Sequence, residues 1–303
     1  VSTPFGDPDL VIVGGGPAGC AAALMAASLG LRSALIESNN IGGRLHVIGA
    51  LSNVPGDWAD GPSLAQALAR DIRRIQESGH CTVITGRATA VSADSRSASV
   101  TLADGSTVTG NAVIAATGVA SITPAEAGWI SAPADLDPAP LWRARPADLK
   151  GRACVLGGDR PLGTWLRAHP DVQRQLLVVH PATDDYKTAE VQQDSRAQLR
   201  RARHVTLNPA PCGGYIVDVE ATDGSTTAYA CDTLLTNIGN RPAALPGLTA
   251  DEDGYCPSDS QGPLIATAGD LRSARFQRIV TAQGSGAQAV LSCYYSTAVR
   301  ATA

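Results

Sequence analysis

Gly14, Gly16 and Gly19 carry the spacing G-x-G-x-x-G between an apolar run at residues 11–13 and a run of small residues at 20–28. Glycine at the first position permits a tight turn. At the second it lets the backbone approach a pyrophosphate, and at the third it lets a helix pack closely on a strand. Pro17 and Ala18 lie in the same turn. The N–H groups and dipole of the helix that starts there would face two phosphates. A second apolar run, 33–36, ends in Glu37. That acid stands where an adenosine ribose would offer its 2′-hydroxyl. The rival reading is a glycine turn that binds nothing. The ordered sequence of strand, glycines, helix and acid speaks against it.

Such residues need a parallel sheet to position them, and the chain spells one twice. The first copy runs from the turn at 11–19 through a helix near 63–78 and a hairpin near 98–108, turning at Asp104-Gly105. It closes on an apolar strand at 111–118. The second begins at 153–159 with Gly157-Gly158-Asp159. Its hairpin lies around 215–229, turning at Asp223-Gly224, and it closes at 232–239. A Pro- and Ala-rich stretch, 122–146, reads as a linker or irregular layer. Residues 264–270 read as a further strand and 277–299 as a helix that completes the first domain. The expected fold is α/β, with two Rossmann-like, three-layer ββα dinucleotide-binding domains. The second is inserted into the first: 1–121, 122–242 and 243–303.

Composition sets the outer bounds. At 303 residues there is room for two cores. A hydrophobic fraction of 44% with 17% charged residues is that of a soluble globular protein. The net charge of −4 argues against a nucleic-acid partner. Arg196, Arg200, Arg201 and Arg203 cluster; a solvated helix face is expected, with a weak anion site as the lesser reading. No stretch approaches the ~20 apolar residues of a membrane span, and the first ten residues lack the features of a secretory signal. Seven scattered cysteines without a C-x-x-C pair fit reduced thiols in a cytoplasm. No metal is called for.

Three motifs together, the turn at 14–19, Ala116-Thr117-Gly118 and Ala268-Gly269-Asp270, resemble the two-domain flavoproteins of the low-molecular-weight thioredoxin reductase type. Gly42-Gly43-Arg44-Leu45 is similar to that family's G-G-Q-L, and Asn53-Val54-Pro55-Gly56 to its N-[FW]-P-G. The resemblance implies FAD and a homodimer. It implies that Gly14, Gly16, Gly19 and Glu37 hold the ADP half. Gly42, Gly43, Arg44, Leu45 and Asn53 would line the ribityl and isoalloxazine part, near Thr117 and Gly118. Gly269 and Asp270 would meet the ribitol or phosphate. Gln277, Arg278 and Ile279 fall where the family has Arg-Gln-Ala beside the pyrimidine edge, in altered order. A cation or N–H donor there would stabilise reduced, anionic flavin.

The departures from the family are equally informative. Its redox segment S-A-C-A-T-C-D-G is replaced by a stretch with Pro133 and Leu136 at the two cysteine positions. Neither residue can form a thiolate. Asp137 matches the acid after the second cysteine; proton transfer and turn capping before Pro138 both remain open. In the second glycine turn Asp159 replaces a glycine and Leu162 a small residue, and a carboxylate there would repel phosphate, with Arg160 as partial compensation. The arginine pair that would clamp a 2′-phosphate is missing, leaving Lys187 beside Asp184 and Asp185. FAD is thus retained while both usual electron partners are lost. The expectation is an oxidase passing electrons from a small organic substrate, a thiol from a biosynthetic pathway being one candidate, to O2. His46, following the 42–45 segment, is the candidate base; a loop histidine bonded to backbone is the even alternative. The rival functions are an NAD(P)H- or ferredoxin-linked reductase and a non-catalytic flavin-binding partner.

Overall fold

The structure is a computed structural model and describes residues 8–49, 51 and 53–301. Residues 1–7, which bear on the absence of a secretory signal, lie outside the described residues. The chain divides into two compact units, residues 1–120 with 241–303 and residues 121–240.

Unit 1 is built on β1 (Leu10–Val13), β2 (Ser33–Glu37), β3 (Cys81–Thr85), β7 (Ala112–Ala115) and β18 (Ile265–Thr267). They form one parallel sheet in the order β18-β7-β1-β2-β3, with Ile12 beside Leu35 and Ile114. The three inner strands are apolar almost throughout, as strands covered on both faces must be. Alternate residues explain the two layers. Leu10, Ile12, Leu35 and Ile114 pack with the helices α1 (Pro17–Ser28), α2 (Gly61–Glu77) and α5 (Ile279–Ala301). Val11, Val13, Ile36 and Val113 pack against an antiparallel sheet of β4 (Ala88–Ala93), β5 (Ala98–Leu102) and β6 (Thr107–Gly110). Half of α1 is Ala, and α5 lies almost on its backbone: a Cβ on Gly286 would stand 2.0 Å from the Ala18 carbonyl oxygen.

The chain leaves and re-enters unit 1 through β8 (Val119–Ser121) and β17 (Asn240–Pro242), which pair with each other. Unit 2 repeats the plan. A parallel sheet runs in the order β12 (Ala197–Arg201), β11 (Leu176–His180), β10 (Ala153–Leu156), β16 (Thr233–Thr236), with α3 (Pro161–Ala168) and the short α4 (Asp185–Thr188). Its other layer is β15 (Thr226–Cys231), β14 (Tyr215–Glu220), β13 (His204–Pro209) and β9 (Ile130–Ser131).

Two expectations are corrected. The arginine cluster lies on and beside a strand, not a helix. Ala197 and Leu199 alternate inward to pack on the unit 2 core, a period of two that only two apolar positions disclose. Its arginines are engaged by partners within the chain. Arg196 pairs with Asp194, Arg201 with Asp185 and Arg203 with Glu220, while Arg200 donates to the Tyr229 hydroxyl. The Pro-rich stretch 122–146 is also more than a linker. Ile130 and Ser131 pair with Val205 and Thr206, and Leu141 is fully buried.

Candidate functional site

In unit 1 the glycine turn is shaped by close approach. Gly14 has φ +101°, and a Cβ there would stand 2.5 Å from the Ala116 carbonyl oxygen. A Cβ on Gly19 would stand 1.8 Å from the Gly14 carbonyl oxygen, so this is where α1 packs on the turn. By contrast nothing lies within 4 Å of the Cβ position at Gly16, so the backbone there faces open space. Glu37, at the end of β2, folds back on the turn. One carboxylate oxygen accepts the Gly15 N–H at 2.6 Å and the other accepts the Asn39 N–H at 2.8 Å. The second oxygen also takes the Ser38 hydroxyl at 3.5 Å, while the oxygen bonded to Gly15 retains a lone pair for a further donor.

Two more segments converge on this turn. Gly42 donates its N–H to the Gly15 carbonyl at 2.7 Å and opens a 3-10 turn, Gly43–Val47, in which Leu45 is buried. Gly269, with φ +72°, packs so tightly on Ala18 that a Cβ would stand 2.9 Å from it, and its N–H donates to the Ser285 hydroxyl. Arg44 and Asp270 interact electrostatically. Burial pushes the Asp270 carboxyl above the usual carboxylate range, against the pull of Arg44 and Arg278. Burial likewise lowers the Arg44 guanidinium while Asp270 holds it up. A cleft of about 240 Å³ opens beside Asp270 at the start of α5, between Arg272, Arg275, Phe276 and Thr281. Phe276 is 80% exposed and has φ +63°, an unfavourable backbone for a bulky residue.

The second turn, in unit 2, has the same backbone and a different filling. Gly157 has φ +97° and donates to the Val179 carbonyl, as Gly14 donates to that of Ile36. Asp184 accepts the Gly158 N–H at 3.0 Å, the place Glu37 takes at Gly15. Lys187 then bridges Asp184 at 3.0 Å and Asp159 at 3.3 Å. The compensation offered by the sequence to Arg160 falls to Lys187 instead. Asn237 stands where unit 1 has Ala116. Its Nδ2 donates to the Asp159 carbonyl at 2.7 Å and lies 3.4 Å from that of Gly157. Its Oδ1 is buried without a hydrogen-bond partner. Leu162, in the place of Gly19, is buried in the unit core. Burying such a side chain contributes about 2 kcal/mol.

Comparison with known proteins agrees with this geometry. Residues 8–158 match the family model "Pyridine nucleotide-disulphide oxidoreductase". The thioredoxin reductase of Treponema pallidum (strain Nichols) is 27% identical, over 93% of this chain and 95% of its own. That of Listeria innocua is 26% identical, over 92% and 90%. The thioredoxin reductase structures from Lactococcus lactis and T. acidophilum superpose with TM-scores of 0.75 and 0.74. They are 20% and 21% identical, covering 95% and 96% of this chain and 98% and 99% of theirs. The chain is a thioredoxin reductase-like FAD flavoprotein.

The residues present in unit 1 of the flavoprotein fit FAD. The open faces at Gly16 and Gly43, whose Cβ positions meet nothing closer than 3.6 Å, and the outward capacity of Glu37 make a cradle, while Gly42 and Gly269 are glycines because a Cβ there would strike Ala65 and Ala18. The other expected positions are distributed as follows. Thr117 donates its hydroxyl to the Ala243 carbonyl and Gly118 has φ +69°. Asn53 is exposed. Gln277 turns inward, donating to the Ser273 carbonyl at 3.0 Å, so it holds the 270–277 loop together. Arg278 is exposed and donates to the Gln277 carbonyl; Ile279 opens α5 and packs on the core. His46 is exposed, with Nε2 2.8 Å from the Ile41 carbonyl oxygen. That carbonyl can only accept, so Nε2 carries the proton and a neutral ring keeps its lone pair on Nδ1. Asp137 lies in unit 2, exposed.

Sequence reading missed Asn237, the Lys187 bridge and Phe276. Only an internal alignment of the two turns, residue against residue, would have singled out Asn237 opposite Ala116. The Asp184–Lys187 pair has i,i+3 spacing, but nothing local points to Asp159 as the second partner.

Proposed function

We propose that this FAD-dependent oxidoreductase takes electrons directly from a small organic substrate, a thiol being the favoured class, and delivers them to O2. The balance is two RSH and one O2 giving RSSR and H2O2. The observation that carries the reading is the filled second turn, where Asp159, Asp184 and Lys187 occupy the mouth that a pyrophosphate needs. Pro133 and Leu136 at the family's cysteine positions support it from the other side. Bound FAD supplies two-electron acceptance. Gly14, Gly16 and Gly19 would hold its phosphates, with Pro17 and Ala18 starting the helix and Glu37 taking the ribose. Gly42, Gly43, Arg44, Leu45, Asn53, Thr117, Gly118, Gly269 and Asp270 would line the remainder, and Arg278 would set positive charge near it. His46 would take the substrate proton at Nδ1, with Asp137 a second proton group. The same proposal makes the protein a homodimer of the cytoplasm, in keeping with seven free thiols.

A second reading has equal claim. The matched family model is that of pyridine nucleotide-disulphide oxidoreductases, the relatives are thioredoxin reductases, and unit 2 keeps a four-stranded parallel sheet. On that reading NAD(P)H, or a ferredoxin, reduces the flavin.

Anaerobic bleaching of the flavin absorbance separates them. The oxidase reading expects fast bleaching by a member of a thiol panel, slow bleaching by NADPH and NADH, and recovery in air with equimolar peroxide. Rapid bleaching at micromolar NAD(P)H would overturn it in favour of the reductase. A flavin bleached by neither, and slow to reoxidise after dithionite, would mark a non-catalytic flavin-binding partner. In His46→Ala the thiol-driven rate should fall at least ~100-fold with FAD content unchanged; an unaltered rate removes His46 from the mechanism.

A further inference from the structure

The cleft at the start of α5 lies within unit 1 and is walled by a residue that packing alone would not place there. Phe276 is turned out, so its ring adds nothing to the core. Its left-handed backbone is one that a bulky residue adopts only when its neighbours impose it. Here both sides of the residue are tied. The Ser273 hydroxyl accepts the Arg275 N–H at 3.1 Å, and Gln277 donates to the Ser273 carbonyl at 3.0 Å. The Thr281 hydroxyl donates to the Phe276 carbonyl and accepts the Arg278 N–H at 3.2 Å. The loop thus holds an apolar ring at the mouth of a cleft. The same cleft gathers positive charge. Arg272 is half-buried and Arg275 exposed, and among the described residues neither forms a salt bridge. Arg272 reaches the Gln288 side-chain oxygen only at 3.5 Å. The charged lining residues are these two arginines and Asp270, a formal surplus of one positive charge, which a single carboxylate balances. The volume of about 240 Å³ falls below the ~300–1,000 Å³ of sites for drug-sized ligands, so a compact molecule is its size.

We propose that this cleft binds a small carboxylic acid with an apolar body, Phe276 covering the body and Arg272 and Arg275 holding the carboxylate. Covering the ring removes apolar surface from water on both partners, and a guanidinium meets a carboxylate with two parallel N–H donors. Asp270 is shared between the cleft and the expected FAD cradle, so the acid is held beside the cofactor segment. Resting on the direct-substrate reading above, the cleft names the substrate class: a thiol that carries both a carboxylate and an apolar group.

Binding needs no turnover, so calorimetric titration of the FAD-loaded protein tests the cleft by itself. The probes are 3-phenylpropionate, 3-phenylpropan-1-ol, which lacks the charge, and acetate, which lacks the body. The acid should bind at least about tenfold more tightly than either of the others. Arg272→Gln together with Arg275→Gln should weaken the acid at least about tenfold and leave the alcohol unchanged. Phe276→Gly suits the backbone at that position, so it should weaken acid and alcohol alike without lowering the thermal midpoint. Equal affinity for acid and alcohol overturns the proposal, as does an acid affinity unaltered in these variants. Acid binding confined to flavin-stripped protein also overturns it, since the cleft would then be part of the cofactor cradle. Flavin bleaching separates this failure from that of the reading beneath it. Should 2-mercapto-3-phenylpropanoate and 2-phenylethanethiol bleach the flavin equally well, the direct-substrate reading stands and the cleft's role falls. Should the acid bind as expected while no thiol bleaches the flavin, the cleft stands as a binding site and the direct-substrate reading falls.

Discussion

The two glycine turns share a backbone and part company in what fills them. Each begins with a glycine near φ +100° bonded to the neighbouring strand, and each gives its middle N–H to a carboxylate of its own chain. In unit 1 the next position is open, and a small helix follows. In unit 2 an ion-paired Asp159 occupies it, Asn237 braces it from beneath, and Leu162 sinks into the core. One turn leaves open space at Gly16; in the other the Asp159 N–H is taken by the Asn237 carbonyl. The lesson is that two turns of one backbone geometry and one sheet plan can differ in three side chains, Asp159, Leu162 and Asn237, and it is on these that the two proposed readings of unit 2 divide.

The largest expected effect comes from carrying the second turn's charge into the first. Gly16 has open space at its Cβ and φ −74°, so Gly16→Asp should fold normally. A carboxylate about 4 Å from one phosphate charge costs roughly 4 kcal/mol at an effective dielectric near 20. FAD affinity should therefore fall on the order of a thousandfold, read as flavin content on purification and by titration of the apoprotein. Retained FAD with an unchanged thermal midpoint would show that charge is not what separates the turns.

The converse experiment removes the counter-charge from unit 2. Lys187→Met leaves Asp159 and the mostly buried Asp184 without their cation and should destabilise the unit by about 2 kcal/mol. Burial works against the Lys187 charge, but Asp159 and then Asp184 outweigh it and hold its pKa above 10.5. The folded value exceeds the unfolded one. The stabilisation is therefore full below about pH 10 and is lost as pH rises through the folded value. Urea midpoints from pH 8 to 11.5 should decline for the wild-type chain over that upper window. The variant should start lower and lack that part of the decline. Parallel curves would mean that the bridge is ornamental.

How much of this was legible beforehand follows from what each feature depends on. The sheets could be read because strands such as β1, β7 and β10 are continuous apolar runs bounded by glycine, a local signal. The unit 1 cradle could be read because its glycines are required by close approach wherever the fold occurs. The strand β12 could not, since its two inward residues give too short a period and its arginines dominate. Gln277 was placed toward the ligand by family position, yet its Nε2 donates to the Ser273 carbonyl at 3.0 Å within its own loop. The Asp184–Lys187 half of the bridge is an i,i+3 pair that the sequence contains, but its Asp159 half joins residues far apart in the chain, so no short window contains that part.

The smallest effect concerns the charge that unit 1 leaves incompletely balanced. Burial raises the Asp270 carboxyl, and Arg44 and Arg278 reduce that shift without cancelling it. A folded pKa above the unfolded one favours the fold below about pH 3.9 and is a cost once the carboxylate ionises. At neutral pH the apoprotein therefore holds an anion it would be more stable without. Asp270→Asn should raise the thermal midpoint of FAD-stripped protein by a degree or two at pH 7 while weakening FAD retention. Differential scanning calorimetry of the apo and loaded forms reads both. The opposite signs follow from one cause: a group kept for the cofactor is under-satisfied without it. Were the apoprotein instead destabilised by the substitution, Asp270 would be as fully paired as Asp159 is by Lys187. The turn segments of unit 1 would then be as self-contained as those of unit 2, and the distinction between the two would rest on Gly16 alone.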